Sequence, residues 1–113
     1  MLKRLNANLF LIFVLTVFLA ACGEAEQEKD YRIVLNGNGG SPITQVVYVK
    51  YGDPMPPAQE PSRYNYLFVG YLDSRYWTDQ TGSDFYYLPG YSGLVSNKNW
   101  DMRSDATLYA IWY

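Results

Sequence analysis

The chain of 113 residues contains no histidine and a single cysteine. Without histidine there is no imidazole for a Ser-His-Asp triad or a His-ligated zinc site, and one cysteine cannot close an intrachain disulfide. Charge is sparse as well. Nine Lys and Arg stand against eleven Asp and Glu, a net charge of -2, which offers no long-range attraction for a phosphate backbone, so nucleic acid is not an expected partner. The length leaves room for one domain. What the chain has in excess is rings: 18% of it is Phe, Trp or Tyr, with twelve Tyr, a composition that favours strands and half-buried surfaces over helices.

The N-terminal segment reads as an address. Lys3 and Arg4 precede Leu9 to Ala21, an apolar run broken only by Thr16. A charged stretch followed by an apolar one is the pattern of a secretory signal. As a helix this run rises only about 20 Å, short of the roughly 30 Å of a hydrocarbon core, so residues 1–21 are expected to be a signal peptide and not a spanning helix. Its end, Leu19-Ala20-Ala21-Cys22, resembles the bacterial lipobox, which implies cleavage before Cys22 and lipidation of its thiol. Each acyl methylene contributes about 0.8 kcal/mol of membrane binding, so two or three chains would hold the protein on a membrane without a helix. Gly23 stands where an Asp would, in the Gram-negative sorting pattern it resembles, retain a lipoprotein at the inner membrane; the expected location is therefore the outer membrane or cell surface. Residues 22–30 carry Glu24, Glu26, Glu28 and Asp30 against Lys29 and bury too little to fold, so they form an acidic tether. Removing Lys3 and Arg4 leaves seven basic residues against eleven acidic, a net of -4.

Residues 31–113 have the composition of a small β domain. Tyr31 to Asn36 places Tyr31, Ile33 and Leu35 on one face of a strand and runs into Gly37-Asn38-Gly39-Gly40, whose residues accept positive φ in a tight turn. Thr44 to Tyr51 is the expected returning strand. Pro54, Pro56, Pro57 and Pro61 exclude a central strand from the next stretch and allow at most one short helical turn around residues 58–63, making it a crossover. Tyr66 to Leu72 returns to strand composition, and Gly70 within it marks a close approach by another backbone or ring. Thr107 to Trp112 alternates Leu108, Ala110 and Trp112 on one side with Tyr109 and Ile111 on the other. Trp112 is expected to be buried with the first set. Between these strands, residues 74–103 read either as an irregular loop or as a further hairpin built from Phe85-Tyr86-Tyr87-Leu88.

The order of these features, from the NGNGG turn through Tyr51-Gly52 and Tyr66-x-Phe68-x-Gly70-Tyr71 to Leu108-Tyr109-Ala110-x-Trp112, resembles the Listeria-Bacteroides repeat of internalin-type bacterial surface proteins. The resemblance spans residues 31–113. It implies a mostly β (α+β) domain with a small, ubiquitin-like β-grasp fold, no catalytic residues, and a binding or structural role at the cell surface. Where that family commonly has a Gly and a Trp, this chain has Asn65 and Tyr71, and residues 75–97 form a longer segment than the family's own.

That longer segment concentrates rings. Trp77, Tyr86 and Tyr91 are the candidate ligand-binding residues, because flat rings on a loop stack on sugars or anchor a protein partner; rings that pin the loop to the sheet account for the same composition. Asp79-Gln80-Thr81-Gly82-Ser83-Asp84 has a faint likeness to oxygen-rich calcium loops, but a solvated turn explains it better, and no metal or other cofactor is expected. Asp73, Asp79, Asp84 and Asp101 are the carboxylates from which a glycosidase pair would have to come, but so short a chain has little interior in which to shift a carboxyl pKa, and no enzyme is expected. The expected role is a lipid-anchored surface module that binds carbohydrate or protein, with a non-binding accessory subunit of an envelope complex as the alternative. The address has a direct test: Cys22→Ser should release the protein from the detergent-extractable membrane fraction or leave it uncleaved, and equal membrane association and normal processing of both forms would end the lipoprotein reading.

Overall fold

The computed structural model describes residues 28–78 and 82–113. Cys22 and the signal segment lie outside the described residues. Among the described residues no helix is long and apolar enough to cross a membrane.

Six strands form one mixed, curled sheet: β1 (Asp30–Asn36), β2 (Thr44–Lys50), β3 (Phe68–Leu72), β4 (Tyr87–Gly90), β5 (Gly93–Ser96) and β6 (Ala106–Trp112). Their spatial order is β2-β1-β6-β3-β4-β5. The β1–β6 pair is parallel and every other pair is antiparallel. The domain is thus mostly β. Its 3-10 turn at Gly82–Asp84 lies away from the crossover, which contains no helical turn. The ambiguous middle segment resolves as the β4–β5 hairpin, with Gly90 opposite Gly93 around the two-residue turn Tyr91-Ser92.

The inward alternation of β1 sets the core. Tyr31, Ile33 and Leu35 are buried and face Val49, Val47 and Gln45 across the β1–β2 ladder. On the other side, Leu35 stands beside Leu108 of β6. Ala110 of β6 then meets Tyr71 of β3, and Tyr71 meets Tyr87 of β4, so one face of buried side chains runs across five strands. The proline-bearing crossover closes this face with Met55 and Ala58, together with Trp100 and Met102.

A segment with four prolines cannot satisfy itself in a ladder, and its polar groups find partners elsewhere. The Tyr87 hydroxyl donates to the Pro56 carbonyl at 2.5 Å, and the Met55 N–H donates to Ser96 Oγ at 2.8 Å. The Gln45 side chain takes both the N–H and the carbonyl of Gln59. Ser41 and Ser62 exchange two backbone bonds of 2.8 Å.

Gly70 is where the close approach occurs. A Cβ there would lie 2.6 Å from the Phe85 ring and 2.6 Å from the Tyr87 carbonyl oxygen. The register shifts between Phe68 and Gly70, the mark of a bulge in β3. Phe85, admitted by that glycine, joins Leu72 and Ile111 in a second cluster on the opposite face of the sheet, against which Trp77 and Leu88 pack.

Trp112 departs from the expectation of burial. It is half-buried, because the strand carries it past the end of the core, where cover over the inner face runs out. There its ring meets Phe68 edge-on at 5.7 Å, and its indole N–H donates to the Gly37 carbonyl at 3.0 Å.

Leu108 is fully buried at the centre of the sheet. Leu108→Ala is expected to cost about 2–5 kcal/mol, a fall in Tm of about 10 °C or more for a domain this small. Ile43→Ala, at an exposed turn position, should stay within about 0.5 kcal/mol of the parent. Equal melts for the two variants would remove β6 from the centre of the sheet.

Candidate functional site

The three rings singled out from sequence do not share a surface. Tyr86 is 1% exposed. Its ring lies 5.1 Å from Trp100, its hydroxyl donates to Asp101 Oδ1, and the Lys98 ammonium sits 4.6 Å above it. Tyr86 is therefore a core ring and not an exposed anchor: at the start of β4 the chain sends Tyr86 and Tyr87 into the main core and Phe85 into the second cluster. Tyr91 is fully exposed at the tip of the β4–β5 turn. Trp77 is half-buried with its ring edge-on to Phe85 at 5.2 Å, and it alone of the three lines an open groove at the end of β6.

That groove, about 990 Å³, opens between the segment leading into β3 and the loop at residues 75–78, over the end of β6. The β3–β6 ladder builds it. Leu67 and Tyr113 continue the pairing beyond the strands with backbone bonds of 2.9 and 3.2 Å, which brings Tyr66 and Leu67 beside Trp112 and Tyr113. The loop after β3 supplies Tyr76 and Trp77 from the other side. Tyr66 is 46% exposed, Tyr76 76% and Tyr113 81%. Rings so placed offer flat apolar faces to an occupant while their hydroxyls remain available for hydrogen bonds.

Two arginines accompany the rings. A turn closed by the Tyr66 N–H on the Arg63 carbonyl at 3.1 Å sets the Arg63 guanidinium 3.9 Å over the Tyr66 ring. Gly39 makes room for it as well. It has φ +96, and a Cβ there would lie 3.0 Å from the guanidinium carbon. The NGNGG turn thus serves both the hairpin and the arginine. Arg75 lies 4.9 Å over the Tyr109 ring. Among the described residues neither arginine is in an ion pair, and no acidic side chain lines the groove. Of the groove's residues the sequence pointed to Trp77 as a candidate and not to Arg63, Tyr66, Arg75 or Tyr76; the Arg-x-x-Tyr spacing across a four-residue turn was the available signal.

The carboxylates considered for chemistry lie elsewhere. Asp73 and Asp84 border a smaller hollow of about 430 Å³ beside Lys98, and Asp79 lies outside the described residues. At Asp101, burial pushes the carboxyl pKa up, but the Tyr86 hydroxyl and Lys98 outweigh it, leaving the group below its usual range as an anion and not a proton donor. Among the described residues no group of three or more metal-binding side chains occurs.

Burial acts on the core tyrosines in the opposite sense. Tyr71 is pushed up to about 12 by burial, eased by the nearby Gln45 side chain, whose geometry falls short of a hydrogen bond to the hydroxyl. Tyr87 is raised by burial and then by Tyr71, and Tyr86 by burial and then by Asp101. A phenol whose folded pKa lies above its unfolded value of about 10 contributes fully below that pH and loses its contribution as pH rises through the folded value. The domain should therefore hold its stability up to about pH 9 and lose it between about pH 10 and 12, tyrosinate absorbance rising together with loss of near-UV circular dichroism. Tyrosinate formation complete by about pH 11 in a still-folded protein would contradict the burial of these rings.

Compared with known proteins, the chain matches no family model, no curated protein and no solved structure.

Proposed function

We propose that the chain is a lipid-anchored bacterial surface protein whose β domain binds carbohydrate in the groove between residues 63–69 and 75–78. The observation that carries this reading is the gathering of Tyr66, Tyr76, Trp77 and Tyr113 around one open groove. Exposed apolar surface concentrated on a concave site is what a ligand site requires and what a solvated surface otherwise avoids. The lipobox-like Leu19-Ala20-Ala21-Cys22 and the acidic tether are the sequence support for the anchor.

The sheet order supports a β-grasp relationship and, with it, the likeness to the Listeria-Bacteroides repeat. A first hairpin, a parallel β6 inserted beside β1, and a second antiparallel unit beyond it are the features in favour of that reading. The extended crossover takes the place where that fold carries its helix, packing Met55 and Ala58 on the same core.

The accessory-subunit reading has one observation of its own. Edge strand β2 runs for seven residues and exposes Val46 and Tyr48 on its outer face, a surface suited to pairing with another strand.

A single experiment separates the two. Affinity electrophoresis of the full-length protein in detergent through gels containing polysaccharides should show retardation, and Tyr66→Ala with Tyr76→Ala should weaken it by about tenfold or more. The same double variant should melt within a few degrees of the parent, since the rings it removes are exposed. No retardation by any polysaccharide, with co-purification abolished by Val46→Lys, would favour the accessory subunit.

A further inference from the structure

We infer that the groove is built for an anionic polysaccharide, with Arg63 and Arg75 receiving the carboxylates of a uronic-acid chain whose rings lie against the tyrosines. This deepens the carbohydrate reading and rests on it.

Lys50 and Lys98 are each paired with a carboxylate, Asp30 and Asp101. Arg63 and Arg75 have no such partner among the described residues, and neither has Arg103, which lies 3.9 Å over the Tyr51 ring; of the three, Arg63 and Arg75 line the groove. Each is held over a ring, at 3.9 Å and 4.9 Å, and Arg63 is flanked by Gly39 as well. Held over a ring, neither guanidinium donates a hydrogen bond to protein among the described residues. A planar fork held in place, with edges free, suits a carboxylate, and little ordering entropy remains to be lost when one binds.

Charge decides the class of occupant. With no acidic side chain lining the groove among the described residues, the local field favours an anion, whereas a neutral sugar would leave both cations unused. A polyphosphate chain is a poor fit, since two arginines cannot offset the repulsion between a dense phosphate backbone and an acidic protein. A uronic-acid polymer carries single carboxylates on successive sugar rings, so it can offer an anion to each of two arginines and ring faces to the aromatic surface around them.

The test uses the full-length protein in detergent and two forms of one backbone: polygalacturonate, and the same polymer fully methyl-esterified, which keeps the rings and removes the charge. Polyglutamate serves as an acidic peptide. The acid form is expected to bind about tenfold or more tightly than the ester, and Arg63→Gln and Arg75→Gln each to lower affinity for the acid form by about tenfold and for the ester by much less, so that the preference for the acid form shrinks. Arg63→Lys should recover only part of the loss, because an ammonium keeps the charge but not the fork. Rising salt should weaken the acid form alone. Equal affinity for acid and ester, or arginine variants indistinguishable from the parent, would overturn the anionic assignment and leave carbohydrate binding standing. Polyglutamate binding as tightly as polygalacturonate would overturn the glycan in favour of an acidic protein, and failure of every polysaccharide to bind would remove both readings. Arg75 is exposed, so its variant keeps the test open even if Arg63→Gln disturbs the hairpin turn.

Discussion

The parallel pairing of β1 with β6 is the constraint on which the rest of the domain depends. The β1–β2 hairpin and the β3-β4-β5 unit share no edge with each other; β6 lies between them and pairs with both. Bringing Ala106 beside Ile33 closes a long loop, and its entropic cost must be met by what β6 then buries. It buries on both faces. Leu108 and Ala110 complete the main core, while Ile111 on the reverse side seats Phe85 and Leu72. The end of the same strand provides Trp112 and the Leu67–Tyr113 pairing from which the groove is made. Core and groove therefore form together or not at all.

Period-two alternation made the strands of this framework legible. Tyr31, Ile33 and Leu35 point inward as their spacing requires, and Leu108 and Ala110 oppose Ile111 as β6 alternates. Gly70 was informative for a different reason: a glycine inside a β-rich run has few uses other than close approach, and Phe85 is what approaches. Alternation stops being informative where ladders stop. Trp112 continues the inward series of its strand yet is half-buried, because register fixes a side chain's direction but not whether anything lies there to cover it.

The groove was hidden for the same reason. Its residues come from positions 63–69, 75–78 and 111–113, with Asn38 beside them, and only the β3–β6 ladder brings these together. Composition pointed correctly to the loop after β3 as rich in rings, but it could not separate those that fill space from those that face solvent. Tyr86 and Tyr76 illustrate the difference. Tyr86 lies where its hydroxyl can reach Asp101 and its ring can reach Trp100, so it is buried. Tyr76 lies on the groove wall with most of its ring in water.

The same contrast bears on why the groove has the composition it does. Stability accounts for Tyr71, Tyr86 and Tyr87, which fill the core of a small domain in which each large ring removes about 150–250 Å² from water. Stability does not account for Tyr76 or Tyr113, whose exposed rings contribute little to the fold and add apolar surface that invites association. Arg63 and Arg75 pose the same question from the electrostatic side, since a cation stacked on an exposed ring gains about 0.5–1 kcal/mol, less than a charge-assisted bond to a carboxylate would provide. Exposed rings and unpaired cations meet around one concavity, and an anionic ligand with flat faces is a single cause for both. Arg103 over Tyr51 repeats the stacking away from the groove, so what sets Arg63 and Arg75 apart is the concavity they share with Tyr66, Tyr76 and Tyr113.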